Sequence, residues 1–222
     1  MKYQLRDYQK KASDAAVMCF KMKSGRNGLL VLPTGAGKSL IIADIAARLE
    51  EPLIVFQPNK EILEQNFAKL QTYGIWDCSI YSASVGRKEI SRITFATIGS
   101  VIRHMKDFQH FKNILIDECH LVKPSDGMYK RFFEQAERRI VGLTATPYRL
   151  YSCMNGSMLK FLTRTRPRVF SQVLYYCQVS ELLAKGFLSR LKYYDVTRID
   201  LTKVRRNSSG ADFDDASPVS YT

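Results

Sequence analysis

Apolar residues along this chain come in short unbroken runs, and between the runs they recur at helical spacing. Leu29-Leu30-Val31-Leu32 is one such run, followed by Pro33-Thr34-Gly35-Ala36-Gly37-Lys38-Ser39 and then Leu40-Ile41-Ile42-Ala43-Asp44-Ile45. An apolar run without polar alternation predicts a strand covered on both faces, here feeding a glycine-rich turn and a helix. The same order repeats downstream. Strands are predicted over 52–56, 78–81 and 92–96, with a surface loop over 82–88. A helix begins near Pro58 with Ile62, Leu63, Phe67 and Leu70 inward, and another is entered at 97–100 and contains Val101, Ile102 and Met105. Two more strands, from Ile114 and from Ile140, end respectively in carboxylates and in hydroxyls. Upstream, Ala12, Ala15, Ala16, Cys19 and Phe20 share one face of a first helix; near the end a helix over 179–185 and a strand over 187–196 are predicted. Repeated strand–helix alternation implies right-handed crossovers and an α/β fold with a mainly parallel sheet. One domain over 1–197 is expected, then a mobile tail or linker over 198–222, where Asp, Ser, Gly and Pro gather.

The first strand-to-helix turn carries the clearest chemistry. In Gly35-Ala36-Gly37-Lys38-Ser39 the glycines let the backbone curl so that successive N–H groups face an anion, and the helix that follows adds its free N-terminal donors. Thr34 stands where a first glycine is common, which shortens the glycine spacing. Lys38 is expected to reach the β- and γ-phosphates of a nucleotide and Ser39 to ligate magnesium. Asp117 and Glu118 end a buried strand, and in open α/β sheets ligands sit beyond the carboxyl ends of the strands. Asp117 is therefore expected to hold the magnesium, directly or through water, and Glu118 to polarise the attacking water. Thr144 and Thr146 are placed to hydrogen-bond the segment from Asp117 to His120, with His120 a polar relay. Near the start, Gln9 has an amide able to pair with one edge of adenine, and Arg6 a plane that can stack on its ring.

Composition changes this picture in one respect. Thirty-four Lys and Arg against 21 Asp and Glu leave a formal charge of +13, which suggests a polyanionic partner such as nucleic acid. No apolar run approaches the roughly 20 residues that cross a bilayer. The five cysteines are scattered without paired spacing, which argues against a zinc or disulfide framework and fits a reducing cytoplasm.

In combination these segments resemble the first RecA-like motor domain of superfamily 2 helicases and translocases. Leu5-Arg6-Asp7-Tyr8-Gln9 is similar to their adenine-reading Q motif, Pro33 to Ser39 to motif I, Pro58 to Gln65 to motif Ia, Asp117-Glu118-Cys119-His120 to a DECH motif II, and Thr144-Ala145-Thr146 to motif III. Thr97 to Ser100 is similar to a motif that contacts the nucleic-acid backbone. Within the superfamily, Thr-Ala-Thr-Pro-Tyr-Arg and Val-Ser-Glu-Leu-Leu-Ala-Lys-Gly-Phe-Leu resemble the bacterial RadD-type DNA-repair helicases, and restriction-enzyme motor subunits share much of the pattern. The resemblance implies a three-layer RecA-like P-loop domain, ATP and Mg2+ as ligands, and DNA in preference to RNA as the track. It also implies that Asn59, Lys60, Thr97 and Ser100 contact the strand. A second RecA-like domain, carrying arginine fingers, is expected in a longer protein or a partner chain.

Overall fold

The computed structural model describes residues 4–22, 26–125, 127–153, 156–190 and the antiparallel pair 199–200 with 220–221. Helix α1 (Asp7–Lys21) precedes β1 (Gly28–Val31), α2 (Lys38–Arg48), β2 (Leu53–Phe56) and α3 (Lys60–Gln71). Then come β3 (Cys78–Ser82), β4 (Arg87–Lys88), β5 (Ile93–Ala96), α4 (Ile98–Val101), β6 (Asn113–Ile116), α5 (Met128–Phe133) and β7 (Arg139–Thr144). The described chain continues through β8 (Tyr148–Cys153), β9 (Gly156–Phe161), β10 (Gln172–Tyr176) and α6 (Val179–Ala184).

Eight strands form one sheet in the order β10-β1-β7-β6-β2-β5-β3-β4, parallel throughout except for β4 against β3. Side chains of the central strands alternate between two buried layers. Leu30, Val55, Leu115 and Val141 face the layer built with Ala12, Phe20, Ile41, Ile45, Leu63 and Leu70 of α1 to α3. Leu29, Ile54, Ile114 and Ile140 face the opposite layer, with Phe108, Phe111, Phe132 and Phe170. Both faces are covered, so the runs need no polar alternation. The three-layer arrangement expected from the sequence is the one observed.

Three local expectations are corrected. Part of the loop expected over 82–88 is strand: Arg87 and Lys88 pair back onto Ser82 and Tyr81 as an edge hairpin. The helix expected to be entered at 97–100 and to contain Met105 ends after Val101, because His104 leaves helical geometry at φ −134°, ψ 38° and a separate short turn follows over Met105–Phe108. The strand expected from Phe187 does not form over its described part, 187–190. Gly186 turns the chain at φ +68°, and the N–H groups of Phe187 and Leu188 both donate to the Leu182 carbonyl, folding the segment back over α6. The rest of that strand, and almost all of the tail from 198, lie outside the described residues.

Candidate nucleotide site and nucleic-acid groove

The sheet order explains how distant segments meet. The glycine loop follows β1, the two acids follow β6, and the threonine-rich end follows β7, the strand between them. All three strands are parallel, so the three chain ends emerge on one side.

The loop is shaped from behind by α1. Tyr8 Oη and Gln9 Nε2 each donate to the Ala36 carbonyl at 2.9 Å. In a trans peptide the carbonyl and the next N–H point opposite ways, so this grip turns the Gly37 N–H toward the phosphate side. Gly37 has φ +76°, a conformation that strains any side chain, and a Cβ there would lie 2.5 Å from Gln9 Nε2 and displace the amide that grips Ala36. Gly37 also starts α2, which presents its first N–H groups beside Lys38 and Ser39.

Lys38 Nζ lies 2.8 Å from Glu118 Oε1, both side chains largely shielded, so the expected phosphate-reaching cation and water-polarising acid are one ion pair. Glu118 sits in the left-handed region at φ 46°, ψ 48°, which costs a non-glycine residue about 1–2 kcal/mol. Its N–H donates to Asp117 Oδ1 at 3.0 Å, and its carbonyl accepts from the Leu121 N–H at 3.0 Å, which holds the turn. Cys119 anchors the turn below. It is fully buried against Gly142, where an added Cβ would meet its Sγ at 2.6 Å, and burial raises its thiol pKa. This agrees with a packing role rather than a nucleophilic one.

Asp117 is buried, with Oδ2 accepting from Asn66 Nδ2 at 3.2 Å. Burial, then the neighbouring Glu118 charge, push its carboxyl up to about 6, against the opposing pull of Lys38. His120 is lowered, first by burial, which keeps the ring neutral at pH 7. Its Nδ1 lies 3.0 Å from Thr144 Oγ1 and 3.4 Å from Glu118 Oε2. Thr144 Oγ1 donates to the Thr146 carbonyl at 3.1 Å and accepts from the Thr146 N–H at 3.0 Å. With its only proton used, it accepts from His120 Nδ1–H. The segment from Asp117 to His120 is thereby tied to the end of β7, as the sequence suggests.

This donor set fits a magnesium-bound nucleotide. Ser39 and Asp117 offer hard oxygen ligands, and magnesium typically takes only one or two carboxylates, the remainder coming from phosphate and water. Among the described residues no group of three or more His, Cys, Asp or Glu could hold a metal by itself.

Gln9 is buried, its Oε1 accepting from the Arg6 N–H at 2.9 Å. One donor and one acceptor position of its amide are thus engaged within the protein and one of each remains, enough for one edge of adenine. The Arg6 guanidinium stacks 4.1 Å from the centre of the Phe187 ring, a partner that the sequence pattern puts in a strand. On this geometry ATP is expected to bind more tightly than GTP, and Gln9→Ala is expected to reduce that ratio by about 10-fold, the worth of a bidentate base contact. Competition binding with the two nucleotides measures it, and equal affinities in the wild type would remove the base-reading role.

Asn59, Lys60, Thr97 and Ser100 line one groove of about 500 Å³, together with Ser84, Lys88, Arg103 and His104. Asn59 Oδ1 caps α3 by accepting from the Ile62 N–H at 2.9 Å, which leaves its amide N–H groups available. Thr97 and Ser100, expected to contact the strand, have their hydroxyls engaged within the protein. Their hydroxyls bond each other at 2.9 Å, Thr97 also approaches Ser82 Oγ at 3.2 Å, and buried Ser100 accepts from the Ala83 N–H at 2.9 Å. They brace the groove wall, and the cations in it are Lys60, Lys88 and Arg103. The latter two carry no sequence signal of their own, because it is the β3–β4 hairpin and the short α4 that bring them in.

The glycine loop, the paired lysine and glutamate and the bridged threonine end thus meet on one side of a parallel sheet of RecA-like architecture. Residues 2–149 match the family described as the type III restriction enzyme res subunit. The chain belongs to that family, and its fold is that of the N-terminal RecA-like domain of superfamily 2 helicases. It is 29% identical over 151 residues to the DNA 3'-5' translocase XPB2 of Sulfurisphaera tokodaii, which covers 67% of this chain and 32% of that protein. With the DNA 3'-5' helicase XPB of Kineococcus radiotolerans it shares 30% over 152 residues, 64% of this chain and 26% of that protein. The chain thus spans about a third or less of these relatives. The UvsW helicase of bacteriophage T4 has the same fold at a TM-score of 0.53 and 22% identity, over 66% of this chain and 54% of that one. The Sulfolobus solfataricus SWI2/SNF2 ATPase core in complex with dsDNA matches at 0.52 and 22%, over 66% and 33%.

Proposed function

We propose that this chain is the nucleotide-binding half of an ATP-dependent motor that moves on DNA. The observation that carries this reading is the Lys38–Glu118 pair, 2.8 Å apart and beside buried Asp117. Lys38 and the loop N–H groups bind and orient the β- and γ-phosphates. Ser39 and Asp117 would hold a magnesium ion, which would supply positive charge to offset the charge developing on the phosphates. Glu118 accepts a proton from the water in line with the γ-phosphate. His120 and Thr144 keep Glu118 oriented and carry its position to β7. A second RecA-like domain, in a longer protein or a partner chain, completes the site; an arginine finger is worth about 10³–10⁵ in rate, so this half alone turns over slowly.

The relatives named for DNA are 29–30% identical, against 26–28% for those named as putative RNA helicases, which favours DNA over RNA, and the cytoplasm is the compartment that fits the scattered cysteines. The narrower likeness to RadD-type repair helicases rests on the sequence motifs alone. Family membership favours a second reading, a restriction or remodelling module that translocates on duplex DNA without opening it. A strand-displacement assay on the form with both motor domains separates the two. The intact Lys38, Ser39, Asp117 and Glu118 speak against a binding module without hydrolysis.

The groove predicts sequence-independent, salt-sensitive binding of single strands, because phosphate contacts position a strand without reading bases. Log affinity is expected to fall with log salt by about 0.7 per phosphate neutralised, and Lys60→Ala/Arg103→Ala to make that slope shallower by about 0.7 for each phosphate no longer neutralised. A salt titration of oligonucleotide binding measures both. An unchanged affinity and slope would move the track to another basic segment, such as the loop from Arg164 to Arg168.

A further inference from the structure

Asn66 is a residue to which no motif assigns a role. It projects from the buried face of α3 and is 2% exposed. Its Nδ2 donates to Asp117 Oδ2 at 3.2 Å and to Gln57 Oε1 at 3.1 Å. An amide nitrogen has two hydrogens, so one side chain serves both acceptors at once. Gln57 and Asp117 are also buried, and without competing water such bonds hold their partners more firmly than at a surface.

Gln57 joins this site to the groove. It is the residue between β2 and Pro58-Asn59-Lys60, and its backbone N–H donates to the Ala96 carbonyl at 2.9 Å, one residue before Thr97. Among the described residues the Gln57 side chain is held by its oxygen alone, since its buried Nε2 has no partner there. Of the two acceptors Asn66 serves, Gln57 is therefore the one with no second bond to hold it. Asp117, by contrast, is fixed at its other oxygen by the Glu118 N–H at 3.0 Å.

We propose that Asn66 is a positioning residue that couples the metal-holding carboxylate to the nucleic-acid groove through Gln57. The inference rests on the proposed function, since both of the sites it joins belong to that reading. A shift of Asp117 Oδ2 toward a cation draws Asn66 along or releases it. Either change alters the hold on Gln57 and so the turn that carries Asn59 and Lys60. This route is separate from the His120–Thr144 bridge, which leads from Glu118 to β7.

The test measures single-stranded oligonucleotide affinity by fluorescence anisotropy, with and without magnesium and a non-hydrolysable ATP analogue. Wild type, Asn66→Ala, Gln57→Leu and the double variant are compared. Wild-type affinities with and without nucleotide are expected to differ by about 5- to 150-fold, the usual range for coupled sites, and each single variant to bring that ratio to about one. The double variant is expected to add nothing further, as for two links of one chain. Gln57→Leu removes the orphaned donor while keeping volume, so thermal melting is expected to show a folded protein.

A wild-type ratio retained by Gln57→Leu but abolished in Asn66→Ala would mean that Asn66 only props Asp117, and would overturn the coupling. So would a wild type that binds both ligands with a ratio of one. A wild type that binds neither ligand would instead overturn the proposed function, and the coupling with it.

Discussion

Glu118→Gln is expected to lower ATP turnover by about 10²–10⁴, the usual contribution of a positioned general base, without weakening nucleotide binding. Glutamine keeps the shape of the side chain, so the left-handed turn and its bond to Leu121 persist. It cannot take a proton from water at neutral pH. It also removes the charge 2.8 Å from Lys38, so a phosphate no longer competes with Glu118 for that cation. Affinity is therefore expected to stay level or rise while the chemical step fails. Single-turnover hydrolysis in the form with both motor domains, set beside equilibrium binding, separates the two effects. Turnover within about threefold of wild type would remove Glu118 from the base role, since a tenfold change is only about 1.4 kcal/mol.

Much of the fold is legible in the sequence because burial on both faces writes itself as uninterrupted apolar runs. Ile54-Val55-Phe56 and Ile114-Leu115-Ile116 read as central strands, and they are buried throughout. Strands without that signature escape. β10 lies at the sheet edge with Val173 and Tyr176 exposed, and Gln172-Val173-Leu174-Tyr175-Tyr176 has no clear period. Among the described residues β8 and β9 pair only with each other, and Leu150, Met158 and Phe161 lie on the surface. α5, six residues long, is too short for a helical period to show. The apolar and aromatic residues from Phe187 onward suggest a strand. The conformation there is set instead by the turn at Gly186 and by packing on Arg6 and Tyr8, which are distant in sequence.

The nucleotide site is more legible than the groove for a related reason. Lys38, Ser39, Asp117 and Glu118 lie at strand ends, and in a parallel sheet strand ends converge whatever the loops do. The bridge from His120 to Thr144 follows from the same logic. Asn66 and Gln57 carry no signal, because a buried amide on a helix looks in sequence like a solvated one. The sequence does not show that the Thr97 and Ser100 hydroxyls are engaged within the protein, since the edge hairpin that engages them reads as a loop.

Titrating ATP with magnesium into the wild-type chain and into Lys38→Ala shows whether these residues form a working site for a magnesium-bound nucleotide. Hydrogen bonds to charged groups contribute about 1.5–3 kcal/mol, so removing the Lys38 ammonium is expected to weaken binding by about 10- to 100-fold. The unpaired Glu118 carboxylate, left facing the phosphates, adds repulsion in the same direction. Saturable, magnesium-dependent binding is expected of the wild type, and a weakening of that size of the variant. Equal affinities in the two proteins, or no binding by a folded wild type, would contradict a working nucleotide site.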